Sequence, residues 1–118
     1  MELVAFLGAD KENWGQVTAV LNHGSWEHVV IVQKKGTEKF PKPEQGIILD
    51  IDTDKPIGEL KELLLEKIKG KLSGDFEVSL SLASGNGKEH MALISALLSI
   101  PVGVKIVVYT KKGLEFLI

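Results

Sequence analysis

Glu77-Val78-Ser79-Leu80-Ser81-Leu82-Ala83-Ser84-Gly85-Asn86-Gly87-Lys88-Glu89-His90-Met91-Ala92 decides the fold of this chain. Glu77–Leu82 reads as a strand. The next residues break it with two glycines and an asparagine, and Gly87–Ile100 then reads as a helix, ended by Pro101 and Gly103. Forward of this unit, Lys105–Tyr109 is a further strand. Lys111-Lys112-Gly113 is a hairpin turn into a short terminal strand, Leu114–Leu117. Behind it lies a helix with Asp54 as candidate cap and Pro56 in its first turn. It runs to about Leu72 on an inner stripe of Ile57, Leu60, Leu64, Ile68 and Leu72.

The same pattern extends to the start. Ile47–Ile51 and His28–Gln33 read as strands, joined by a loop, Lys34–Gln45, that holds Gly36, Pro41 and Pro43. Asp10–Asn22 reads as a helix with Val17, Val20 and Leu21 at helical spacing, and Leu3–Leu7 as a first buried strand ending at Gly8. Strands alternating with helices imply βαβ units. The uninterrupted apolar runs suit strands covered on both faces. The expectation is a single α/β domain over residues 1–118. It is Rossmann-like, with a mostly parallel five- to six-stranded sheet, helices on both faces, one crossover reduced to a loop, and a C-terminal hairpin.

Composition narrows the function. The chain has 118 residues, 44% hydrophobic and 25% charged, which is ordinary for one globular domain. With no cysteine, disulfides and thiolate metal sites are excluded. Net charge is −2, so a basic surface that coats duplex nucleic acid is not expected. All fourteen basic residues are lysines. An anion site must therefore use lysine, backbone N–H groups and helix termini instead of bidentate arginine clamps. The Lys/Glu/Ile/Leu/Val-rich composition leans towards a thermophile. No run approaches the ~20 apolar residues of a membrane span, and Met1-Glu2-Leu3-Val4 lacks the basic start of a signal peptide. The expected location is the cytoplasm, with no membrane partner.

In open α/β sheets, ligands bind beyond the carboxyl ends of the strands, where strand order reverses. That rule selects two loops. In Ser84-Gly85-Asn86-Gly87-Lys88, the glycines allow close backbone approach and the helix start presents free N–H groups. Lys88 is unfavourable for the helix itself at this position, and makes sense beside a bound anion. The competing reading is a tight turn with Ser84 or Asn86 as cap and Glu89 as first-turn acid. The turn is not a P-loop, because the required positions hold Leu82 and Glu89. It is not a dinucleotide GxGxxG either, because the third glycine position is His90. His90 itself offers an acid, a base or a ligand donor.

The second loop, Gly8-Ala9-Asp10-Lys11-Glu12-Asn13-Trp14-Gly15, should reach the same edge. There Trp14 either stacks on a base, with Asn13 bonding to it, or packs as part of a capped helix start. Asp50, Asp52 and Asp54 read as solvated strand-end acids with a helix cap, not as a metal site. His23 and His28 read as surface residues, and no catalytic triad or metal cluster is spaced along the chain. Neither cofactor nor metal is expected. From Met91 to Ile100 only Ser95 and Ser99 are polar. A helix apolar nearly all round is buried on more than one side, by a neighbouring helix, by a second subunit, or by Trp26 and the long loop.

Strand, Ser84-Gly85-Asn86-Gly87-Lys88-Glu89-His90-Met91-Ala92-Leu93 and strand Lys105–Tyr109 together resemble the CARF (CRISPR-associated Rossmann fold) domains. In that family a late strand is followed by a Thr/Ser-Gly-Gly-Thr-Lys-like turn and an apolar, alanine-containing helix. Ser84, Gly85 and Lys88 match; Asn86 and Gly87 stand where the family has its second Gly and its Thr. The likeness covers the last third of the chain well and the earlier strand–helix order loosely. It implies a homodimer that binds a cyclic oligoadenylate or related nucleotide across the dimer axis, in CRISPR-linked antiviral signalling. Ser84, Gly85, Asn86 and Lys88 would contact the ligand, with Gly87 and His90 beside them. The loop Gly8–Asn13, including Ala9 and Asp10, would close the pocket. Many members carry a fused effector; this chain, read as standing alone, is expected to be a sensor or a metal-independent ring nuclease. A non-enzymatic assembly protein built on the apolar last helix is the reading from a different class.

Overall fold

Leu3, Val4, Ala5, Phe6 and Leu7 are all inaccessible to solvent, and this run forms the middle of the molecule. In the computed structural model, which describes residues 1–74 and 76–118, they belong to strand β1 (Glu2–Leu7). A single 3-10 turn at Lys11–Asn13 leads into helix α1 (Trp14–His23). Then follow β2 (His28–Lys34), β3 (Gly46–Ile51), α2 (Ile57–Ile68), β4 (Glu77–Ser81), α3 (Gly87–Leu98), β5 (Gly103–Thr110) and β6 (Gly113–Phe116).

The strands lie in the order β3-β2-β1-β4-β5-β6. The first five are parallel, and only β6 runs antiparallel, to β5. Strand period 2 divides the apolar residues between two layers. Val4, Phe6, Val30, Val32, Val78 and Leu80 pack with Leu60, Leu64 and Ile68 of α2 and Ala92, Leu93, Ala96 and Leu97 of α3. Leu3, Ala5, Leu7, Val29, Ile31 and Val107 pack with Val17 and Val20 of α1, and with Trp26 and Phe40. Each large side chain wholly removed from water contributes about 1.5–3 kcal/mol, so β1, covered on both faces, anchors the fold. This is the Rossmann-like sheet with helices on both faces and a terminal hairpin that the sequence implies.

Several local readings are corrected. The helix expected from Asp10 begins at Trp14, because Lys11–Asn13 is wound as 3-10. Pro56 is not inside the first turn of α2; it is the N-cap, with extended backbone (ψ 149°). Asp54 does not cap that helix, since its carboxylate pairs with Lys34 Nζ at 3.1 Å. Ile57 lies 43% exposed, outside the inner stripe. The helix ends at Ile68 instead of Leu72, and Gly70 (φ +85°) turns the chain away. Trp26 cannot cover the last helix: it packs on the α1 face of the sheet and donates Nε1 to the Val20 carbonyl. One side of α3 meets α2, while Met91 and Leu98 on another side are exposed. Among the described residues no helix is long and apolar enough to cross a membrane.

Candidate functional site at the carboxyl edge of the sheet

β1 and β4 are parallel neighbours, with Leu3, Val4 and Ala5 in register with Ser79, Leu80 and Ser81. From β1 the chain moves to β2 on one side; from β4 it moves to β5 on the other. The two strands therefore flank the switch point, where an open α/β sheet forms its crevice. The loop after β1 leads to α1 on one face, and the turn after β4 leads to α3 on the opposite face.

The two loops are bonded to each other. The Gly8 N–H donates to Ser84 Oγ at 2.9 Å, and Ser84 Oγ donates to Asp10 Oδ1 at 2.7 Å. The Gly85 N–H donates to the same Asp10 oxygen at 2.9 Å, and Asn13 Nδ2 donates to Asp10 Oδ2 at 2.7 Å. Burial alone would raise the pKa of the Asp10 carboxyl. The bonds from Asn13, Ser84 and Gly85 together outweigh it and hold the group below its ordinary value. Asp10 is thus an ionised brace across the crevice.

Glycine is required at both contact points. A Cβ on Gly8 would stand 2.7 Å from Gly85 Cα. Gly85 has φ +105°, and a Cβ there would stand 2.7 Å from the Phe6 ring and 2.9 Å from His90 Nε2. His90 Nε2 donates to the Ser84 carbonyl at 2.7 Å, and its ring meets Phe6 edge-on. The carbonyl can only accept, so that nitrogen carries the proton.

α3 opens with a reciprocal cap. Asn86 Oδ1 accepts from the Glu89 N–H, and Glu89 Oε1 accepts from the Asn86 N–H, both at 2.9 Å. Asn86, not Ser84, is the cap. The first N–H groups of a helix have no partner within the helix. Here the box satisfies those of Asn86 and Glu89, leaving Gly87 and Lys88 with free N–H groups among the described residues. Lys88 Nζ makes no ion pair there either. The turn is a capped helix start and, at the same time, retains its capacity to receive an anion.

The predicted residues take different places at this edge. Ser84 and Gly8 are buried beneath the surface of the site. Ala9, Asp10, Gly85 and Asn86 line a cleft of about 200 Å³, joined by Glu89 and Lys34. Gly87 and Lys88 stand at its helix side, while Asn13 and His90 brace it from behind. Trp14 is a packing residue: Nε1 donates to the Gly8 carbonyl at 3.0 Å, and its ring meets Phe40 edge-on. No sequence motif marks Lys34. It ends β2 at the same edge and donates to Thr53 Oγ1 at 2.7 Å. Its place at the end of a central parallel strand was the available signal. His28 is half-buried, donating Nε2 to the Lys71 carbonyl, while His23 is exposed beside Tyr109. Asp52 accepts from the Asp54 N–H in a local turn. A larger cavity, about 520 Å³, lies to one side of the cleft, against β2 and β3 beneath the loop that holds Phe40. The strand-end rule and the loop-to-loop bonds, not volume, select the switch-point cleft as the primary site.

No family model matches the chain, and no curated protein matches it by sequence. Solved structures share its fold, two of them as follows. Enterococcus italicus Csm6 bound to cyclic hexa-2′-fluoro-hexa-dAMP superposes with a TM-score of 0.58 at 14% identity, over 90% of this chain and 32% of Csm6. Protein VC1899 from Vibrio cholerae superposes with a TM-score of 0.56 at 12% identity, over 98% of this chain and 33% of VC1899. The chain spans about a third of the length of each. At these identities the likeness is one of fold alone, an α/β sheet of the same architecture.

Proposed function

We propose that this domain senses a nucleotide, binding a cyclic oligoadenylate or a related molecule across a homodimer. The observation that carries the reading is the locked pair of loops at the switch point. Asp10 ties Gly8–Asn13 to Ser84–Lys88, and α3 keeps the Gly87 and Lys88 N–H groups free for a phosphate. The ligand in the Csm6 structure is a cyclic hexanucleotide analogue, which gives this chemistry a precedent on the same fold. Ser84 acts from below, holding the loops, while Gly85, Asn86, Gly87 and Lys88 face the ligand. Exposed Met91 and Leu98 on α3 supply an apolar face that a second copy can cover. His90 Nε2 is engaged by the Ser84 carbonyl, which favours binding over ring cleavage.

Calorimetric titration with cyclic tetra- and hexa-adenylate tests the reading. Saturable heat from one of them, weakened by Lys88→Ala, is the expected result. Absence of heat from both, on protein shown to be folded and dimeric, would sink the ligand assignment. The assembly reading rests on the same exposed α3 face and survives that outcome.

A further inference from the structure

A βαβ unit normally covers its pair of strands with the crossover helix. The connection from β2 to β3 has no helix, only residues 35–45, and α1 lies over β1 and the β5–β6 hairpin. The outer part of this sheet face is therefore roofed by loop alone, with Phe40 tucked beneath it at 8% exposure. What remains is the cavity of about 520 Å³, lined by Gln33, Lys39, Phe40, Lys42, Ile47, Ile48 and Asp50. Its volume is in the ~300–1,000 Å³ range of small-molecule sites.

Gln33 gives the cavity a defined chemistry. The residue is 2% exposed. Its Nε2 donates to Thr37 Oγ1 and to the Glu38 carbonyl, which can only accept, so the orientation of the amide is fixed. Oε1 has no protein partner among the described residues, in a residue that lines the cavity. At the mouth, Lys39 and Lys42 are exposed and make no ion pair among the described residues. Asp50 is the single acid in the lining.

We infer that this cavity is a second ligand site, distinct from the switch-point cleft, for an apolar organic anion that also carries an N–H or O–H donor. Phe40 and Ile48 hold its body, Gln33 Oε1 accepts from its donor, and Lys39 and Lys42 meet its acidic group. A purely apolar occupant would cover Gln33 Oε1, strip it of water and leave it unpaired, and a polyanion would not match the apolar floor. The site is independent of the nucleotide reading.

The probe is 8-anilinonaphthalene-1-sulfonate, which combines an aromatic body, an N–H and a sulfonate; N-phenyl-1-naphthylamine lacks only the sulfonate. Fluorescence titration gives affinities, and amide chemical shifts of labelled protein give the location. Both probes are expected to shift Gln33, Phe40 and Ile48. Lys39→Ala combined with Lys42→Ala should weaken the sulfonate about fivefold and leave the neutral probe within about twofold. Ile48→Trp, which fills the cavity, should abolish both. The inference fails if shifts centre on Met91 and Leu98, or if the double lysine variant binds both probes as the parent does. Should the tryptophan variant not fold, the lysine pair and the shift map still decide.

Discussion

Replacing Asp10 by alanine should destabilise the domain by about 2 kcal/mol, a value obtained by asking what each of its three donors loses. Asn13 is exposed, so its amide turns to water at almost no cost. The Gly85 N–H is half-exposed and recovers part of its bond from solvent. Ser84 is fully buried, and its hydroxyl proton would be left without an acceptor. An unsatisfied buried donor costs about 1–3 kcal/mol, so Ser84 sets the size of the effect. Asp10→Asn keeps the Oδ1 acceptor and should lose less than half as much. The folded pKa of Asp10 lies below its unfolded value, so in the folded state the group binds a proton only at lower pH. Its contribution is full above the ordinary Asp value of about 3.9 and disappears as pH falls through the folded pKa. Urea unfolding at pH 7 and near pH 3, on parent and both variants, measures this. The gap between parent and Asp10→Asn should narrow at the acid end. A loss under about 0.5 kcal/mol for Asp10→Ala at pH 7, the level of an ordinary surface change, would refute the bracing role.

Gly85→Ala should cost about 2 kcal/mol or more, since its backbone is at φ +105° and a Cβ would meet Phe6, whereas Gly87→Ala meets nothing within 4 Å and should stay within about 0.5 kcal/mol. Thermal melts separate the two. Met91→Glu with Leu98→Glu should turn a dimer into a monomer without unfolding it, because both residues are already exposed; sedimentation velocity on a parent that is itself monomeric would remove the dimer proposal. Gly87→Pro deletes one free N–H at the first helical position, where proline is tolerated, and Asn86 before it is extended (φ −111°, ψ 176°) as proline requires. Nucleotide affinity should fall while the melting temperature holds; unchanged affinity would show that this N–H holds no anion.

The sheet was legible because its strands are unbroken apolar runs and its helices carry 3.6-residue stripes. Both signals lie within about twelve residues of sequence. What was not legible depended on longer spans. Asp10 could be placed in a loop, but its bond to Ser84 joins residues 74 apart. That bond explains why a serine in a glycine-rich turn is buried instead of presented to ligand. Ile57 fits the inner stripe of α2 by spacing, yet it sits at the first position of the helix and is left exposed. By sequence Lys34 starts a loop, yet it is the last residue of β2 and reaches the cleft. The missing crossover helix was visible in Gly36, Pro41 and Pro43. The cavity it opens was not, because that depends on where α1 lies across the sheet.

The chemistry of the turn also links the proposed ligand to the proposed dimer. Five backbone N–H groups run from Gly85 to Glu89. Asp10 takes that of Gly85, and the capping box takes those of Asn86 and Glu89. Two remain, adjacent, beside Lys88. With no arginine in the chain to extend it, one copy offers about one phosphate position. Asp10 and Glu89 in the cleft lining repel further negative charge there, and Lys34 beside them is already paired with Asp54. A ligand with several phosphates therefore matches two copies of the turn better than one. A single copy suits a single phosphate group. If the domain proves monomeric, the same geometry argues for a mononucleotide-sized anion and against a ring.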